Sequence, residues 1–129
     1  MFLGVFFGGL VLAEYIKLLE SAAKSESHEL LFPAMFNALK GYSETQFSIE
    51  EQLMDLYGYP QVRLHLASHK MFEIKMHQMG CDYESGVIGP SSIISFLKAW
   101  LVSHIEISDI ELATYVNRCV EQKLARLVI

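Results

Sequence analysis

His65 and His69, in the stretch HLASH, lie four residues apart and share one face of any helix that carries them. Imidazole is a good ligand for iron, zinc, copper and nickel. A pair at this spacing supplies part of a metal site, but it also fits two structural histidines that happen to share a side. Further donors decide between these readings. Glu50, His104 and Asp109 are the candidates, and Gln46, four residues before Glu50, adds an amide oxygen that binds iron only weakly. Three imidazoles and two carboxylates converging inside a helical bundle would be a metal site in ligand type. His28 and His77 align with none of these positions and read as surface or cap residues.

For these residues to meet, they must project from the inward faces of packed helices. Apolar residues recur with the alternating four-and-three spacing of such faces. The first segment carries Val5, Gly9, Leu12, Ile16, Leu19 and Ala23, and KSES (24–27) interrupts it with serines suited to capping. The second carries Phe32, Phe36, Leu39, Ser43, Gln46, Glu50, Leu53 and Tyr57; Pro33 fits if it lies in the first turn of that helix, and deeper in it would kink it. GYP (58–60) stops it. The third carries Val62, His65, His69, Phe72, Met76 and Met79, and GCDYESGVIGP (80–90) reads as a loop. The fourth starts near Ser91 or Ser92 and carries Ile94, Leu97, Leu101 and His104; Asp109 is expected to swing in where this helix ends. The tail from Asp109 reads as a further amphipathic helix. No strand pattern is convincing. The expected fold is all-α, an up-down-up-down four-helix bundle with a C-terminal amphipathic helix, in one domain over residues 1–129.

Glu50 and the three histidines fall on these inward faces. Buried carboxylates and imidazoles are costly without partners, so they should face one another. The stripes of Met and Phe read as core.

Composition narrows the function classes. Hydrophobic residues make up 52% of the 129, which excludes a disordered chain. A net charge of −5 with only 10 Lys and Arg argues against a nucleic-acid partner. Cys81 and Cys119 match no zinc or redox spacing and suggest a reducing, cytoplasmic setting. The apolar stretch MFLGVFFGGLVLA is shorter than the roughly 20 residues a span needs. It also lacks the cationic start of a signal peptide. It reads as an apolar first helix rather than a membrane segment, and its surface suits a partner or a second copy of the chain.

QFSIEEQLM, GYP, HLASHKMF and WLVSHIEISD, in this order, resemble the hemerythrin family, whose corresponding motifs are HFxxEExxM, YP, HxxxHxxF and WLxxHIxxxD. The match runs from Gly9 to Asp109. The resemblance implies a four-helix bundle holding a non-haem di-iron centre that binds dioxygen. Carried over residue by residue, it makes His65, His69 and His104 the terminal ligands of one iron and Glu50 and Asp109 the bridging carboxylates. The family's other two histidines are replaced. Gln46 stands at the HF position and Gly9 at the first-helix position. His28 cannot substitute, because on one helix with Gln46 it would lie about 27 Å away. The implied cofactor is therefore iron, as one ion or two, and the implied small-molecule partner is dioxygen. The replaced histidines bear on dioxygen, which the family binds at that iron, more than on metal binding itself. The alternative is a bundle depleted of ligands that serves as a protein-interaction or sensor module. A catalytic mononuclear three-histidine site has its ligands here but no general base, so an enzyme is not expected.

Overall fold

The structure is a computed structural model that describes residues 3–128, with side chains described for 11–105 and 107–128. Among these residues there is helix and no strand. Helix α1 spans Leu3–Lys24, α2 His28–Tyr57, α3 Val62–Glu84, α4 Pro90–Trp100 and α5 Ile110–Val128. A π-helical segment, Leu101–Asp109, joins α4 to α5. The expected all-α bundle is the observed architecture. Helix α1 packs against α2, α4 and the π segment, and α2 packs against α3. No described helix is long and apolar enough to cross a membrane.

The breaks fall where local chemistry puts them. Gly58 caps α2 with φ of 60°, a left-handed conformation that costs glycine little, and its N–H donates to the Met54 carbonyl. Ser25–Ser27 forms the first connection, but Ser27 makes no side-chain cap bond. Instead the Ser27 N–H donates to Ser25 Oγ at 3.1 Å. Pro90 opens α4, where its missing N–H is harmless. Pro33 lies beyond the first turn of α2, and the helix continues through it although Glu29 loses its usual carbonyl partner.

Three expectations need correction. Residues 80–84, expected in a loop, are the last turn of α3. The fourth helix begins at Pro90 rather than at Ser91 or Ser92. Most important, the fourth helix does not end near His104. The chain passes from α4 through the π segment into α5 with Trp100, Leu101 and Ile110 all in right-handed helical conformation, so residues 90–128 form one run.

The buried faces follow the expected spacing with a small slip. Helix α2 buries Phe32, Phe36, Leu39, Ser43, Gln46, Phe47, Glu50 and Met54, while Leu53 and Tyr57 are only half-buried. A strict 3.5-residue repeat drifts against the 3.6 residues of a straight helix, so by the seventh contact the inward position has moved on by one. On α1 and the fourth helix the deepest positions are Ala22, Ile93 and Trp100, each one residue before the expected Ala23, Ile94 and Leu101, a shift opposite in sense to that drift. Val5 and Gly9 lie outside the described side chains.

The core has two apolar parts. One gathers Leu12, Ile16, Leu19, Phe32, Phe36, Phe72, Leu97 and Trp100 with their neighbours. The other gathers Met54, Tyr59, Leu112, Ala113 and Val116. Along α2, α3 and the last helix alike, a set of buried polar residues falls between these two parts: Gln46 and Glu50, His65 and His69, His104 and Asp109. Fully burying an apolar side chain contributes about 1.5–3 kcal/mol, and the two apolar parts together offset the cost of a polar layer between them.

Candidate metal centre

Each of the five candidate ligands is fixed by its element. Glu50 projects from α2, and His65 and His69 from successive turns of α3. His104 and Asp109 come from the π segment. In that register the backbone bonds run from i to i+5, so residues five apart share a face as residues four apart do in an α-helix. This is how Asp109 reaches His104, with Oδ1 3.1 Å from Nε2. No helix end is needed to bring it in.

The structure brings Glu50, His65, His69, His104 and Asp109 together, with one donor atom from each lying within 4.8 Å of all the others. All five are buried. Glu50 Oε1 is 2.8 Å from His65 Nε2 and 2.9 Å from His69 Nε2. Asp109 Oδ1 is 3.1 Å from both His65 and His104 Nε2. Opposite donors around a single ion with bonds near 2.1 Å stand about 4.2 Å apart, so a small contraction would close this set on one ion.

The hydrogen bonding shows that the cluster fits a cation. His104 Nε2 and both carboxylate oxygens of Asp109 have no hydrogen-bond partner although they are buried. His104 Nε2 and Asp109 Oδ1 are 3.1 Å apart, yet they do not form a hydrogen bond with each other. On the far side of the rings, His69 Nδ1 is 3.1 Å from Glu51 Oε2 and His104 Nδ1 is 2.8 Å from Ser68 Oγ. When Nδ1–H donates to Glu51, the neutral His69 turns the bare lone pair of Nε2 toward Glu50. Lone pairs facing a carboxylate at 2.9 Å need a proton or a metal ion between them.

Without metal, protons must do this work. Burial disfavours a charged His65, but contacts with Asp109 and Glu50 outweigh it and hold the imidazole up at about 9. Burial likewise opposes ionised Asp109, and His104 and His65 overcome it, lowering the carboxyl to about 2. The sign follows for the metal-free protein. The raised His65 contributes stability that is full below pH 6.5 and is lost as pH rises through 9. The lowered Asp109 contributes stability that is full above pH 3.8 and is lost as pH falls toward 2. Thermal melts of metal-free protein should therefore peak between these limits. Metal affinity should instead rise from pH 6.5 to 9, because the ion displaces the His65 proton. A melt series that is flat across pH 6–9 contradicts this.

Aromatic rings hold each imidazole in place. Phe47 stacks on His69 with centroids 3.8 Å apart and planes 9° from parallel. Trp100 stacks on His104 at 4.3 Å and 13°. Tyr59 lies edge-on to His65 at 6.4 Å. Sequence reasoning missed these rings, and it missed Ser68 and Glu51. Glu51 stood in plain view as the second glutamate of QFSIEEQLM, next to a candidate ligand.

The other side of Glu50 differs. Gln46 is buried, and its Nε2 donates to Glu50 Oε2 at 3.4 Å. In this arrangement the amide serves the carboxylate as a hydrogen-bond donor. Tyr42, one turn before Gln46 on α2, is half-buried beside Tyr15 of α1, with ring centroids 5.5 Å apart. Burial, then Glu50, Tyr15 and Asp109, raise its phenol above the ordinary value. This half of the polar layer thus holds an amide and phenols and, among the described residues, no imidazole. Gly9 lies outside the described side chains. His28 is exposed, with Nδ1 3.1 Å from the Ser25 carbonyl, and His77 is exposed beside Cys81; neither joins the cluster. Cys81 and Cys119 are both free thiols.

Compared with known proteins, the chain is 27% identical over 117 residues to a bacteriohemerythrin of Pseudomonas paraeruginosa (strain DSM 24068 / PA7), covering 91% of this chain and 73% of that protein. It is 26% identical over the same length, with the same coverage, to bacteriohemerythrins of Pseudomonas aeruginosa strains LESB58 and UCBPP-PA14. No family model matches the chain. These similarities support a hemerythrin-like family.

Proposed function

We propose that this hemerythrin-like chain binds non-haem iron through His65, His69, His104, Glu50 and Asp109, and that it is a binding or sensing protein of the cytoplasm rather than an enzyme. The observation that carries the reading is the convergence of five buried donors, three of whose atoms have no hydrogen-bond partner. Stabilising that layer with a cation removes a cost that a purely structural cluster would keep. Three imidazoles with two carboxylates suit iron among the first-row metals.

On this reading one ion is held tightly. Gln46 supplies Glu50 with a hydrogen bond where a second ion would otherwise draw on that oxygen. Bound iron supplies redox chemistry toward dioxygen. The chain supplies three aligned imidazoles, two shared carboxylates, and an apolar shell of Phe47, Phe72 and Trp100 that limits water. The apolar start of α1 remains the proposed contact for a second copy. The test is to load metal-free protein with ferrous ion without oxygen, then admit air and follow the visible spectrum. A reversible band on cycling between air and argon supports dioxygen binding. Iron that binds yet oxidises irreversibly removes dioxygen carriage and leaves the metal site.

A further inference from the structure

One surface cavity is lined by a side chain that touches a candidate ligand. It lies beside the α2–α3 turn, has a volume of about 360 Å³, and is lined by Glu51, Asp55, Met54 and Tyr59 among others. The Glu51 side chain is 43% exposed, yet its Oε2 is 3.1 Å from Nδ1 of His69, which is 1% exposed. Glu51 therefore touches both the cavity and a candidate ligand. Asp55 stands one turn further along the same face of α2 and is exposed. Tyr59 also lines the cavity, and its ring lies against His65. It belongs to the turn after Gly58, not to a helix.

Two other cavities run between α2 and α3, and Lys40 and His77 line both. The cavity at the turn has two carboxylates and no basic side chain. Carboxylates set in a cleft with low-dielectric walls focus the field and concentrate cations. Six waters at about 30 Å³ each occupy about 180 Å³, so a hydrated divalent ion fits within the volume.

We propose that this cavity is the route by which the divalent ion reaches the metal centre. Asp55 and Glu51 draw the hydrated ion in, and Glu51 is the last side chain it meets before the donors. The inference rests on the metal-centre reading above, and its test separates the two. Metal-free protein is mixed with Co²⁺ in a stopped-flow instrument and uptake is followed by visible absorption; release is followed after adding excess chelator.

Asp55 lies outside the donor set, so Asp55→Lys should slow uptake and release alike by about tenfold, leaving their ratio unchanged. Its circular dichroism should match that of the unaltered protein, because the position is exposed. Glu44→Lys, in one of the other cavities, should change neither rate. Unchanged rates in Asp55→Lys overturn the route, as does an equal slowing in Glu44→Lys. Slower uptake with unchanged release also overturns it, because that pattern marks distant attraction rather than passage. If the unaltered protein takes up no Co²⁺, the metal-centre reading falls and the route falls with it.

Discussion

His69→Ala should leave a folded bundle that no longer retains metal through a desalting column. The ring supplies Nε2 to the donor set, stacks on Phe47 and is oriented by Glu51, so no neighbour replaces it. Removing a partner that merely orients a ligand typically costs 10–100-fold in metal affinity, and removing the ligand should cost more than about a hundredfold. His65→Ala and His104→Ala should act similarly, since each removes a donor atom at 2.8–3.1 Å from a carboxylate oxygen. His28→Ala and His77→Ala change exposed rings outside the cluster and should leave binding intact. If His28→Ala strips metal as His69→Ala does, the pairing of α1 and α2 with the family's helices is wrong.

The second large effect is a gain. Gly9→His combined with Gln46→His should raise iron from about one per chain toward two and should produce dioxygen binding if the unaltered protein shows none. Gln46→His places an imidazole one turn from Glu50 on the same buried face of α2, where an amide now donates to Oε2. Imidazole suits iron, whereas a neutral amide oxygen suits harder ions and binds iron weakly. The Gly9 replacement must find room in the first helix, and overpacking typically costs about 1–3 kcal/mol, so the double variant should also melt lower than the parent. Iron per chain and the visible spectrum in air, before and after the change, are the readout. Two irons and reversible dioxygen binding in the unaltered protein would mean that other residues complete the second site.

Much of this was legible in the residues themselves. His65, His69 and Glu50 fall on inward faces because helical spacing alone puts them there, and a buried polar residue must find a partner on a neighbouring face. Asp109 was harder. Five residues from His104 is the wrong spacing for one face of an α-helix, and the expectation that the helix ended there was a natural repair. The π register resolves the spacing without an end, and nothing local in LVSHIEISD announces it. Ser68 and Glu51 escaped for another reason. They lie beside the inward faces and act on the outer nitrogens of the imidazoles, a role that depends on how rings are rotated rather than on periodicity. The turn of helix at 80–84 was hidden by Gly80 and the polar residues after it, although packing of Met79 and Tyr83 on the core carries α3 through them.

The most direct test of the metal centre is metal content by mass spectrometry after anaerobic loading with ferrous ion and removal of unbound iron. The predicted result is close to one iron per chain in the unaltered protein and close to none in His69→Ala. An unaltered protein that retains no iron, with the same fold and the same melting temperature whether or not ferrous ion was offered, would contradict it and would favour a bundle that keeps the buried polar layer for some other purpose.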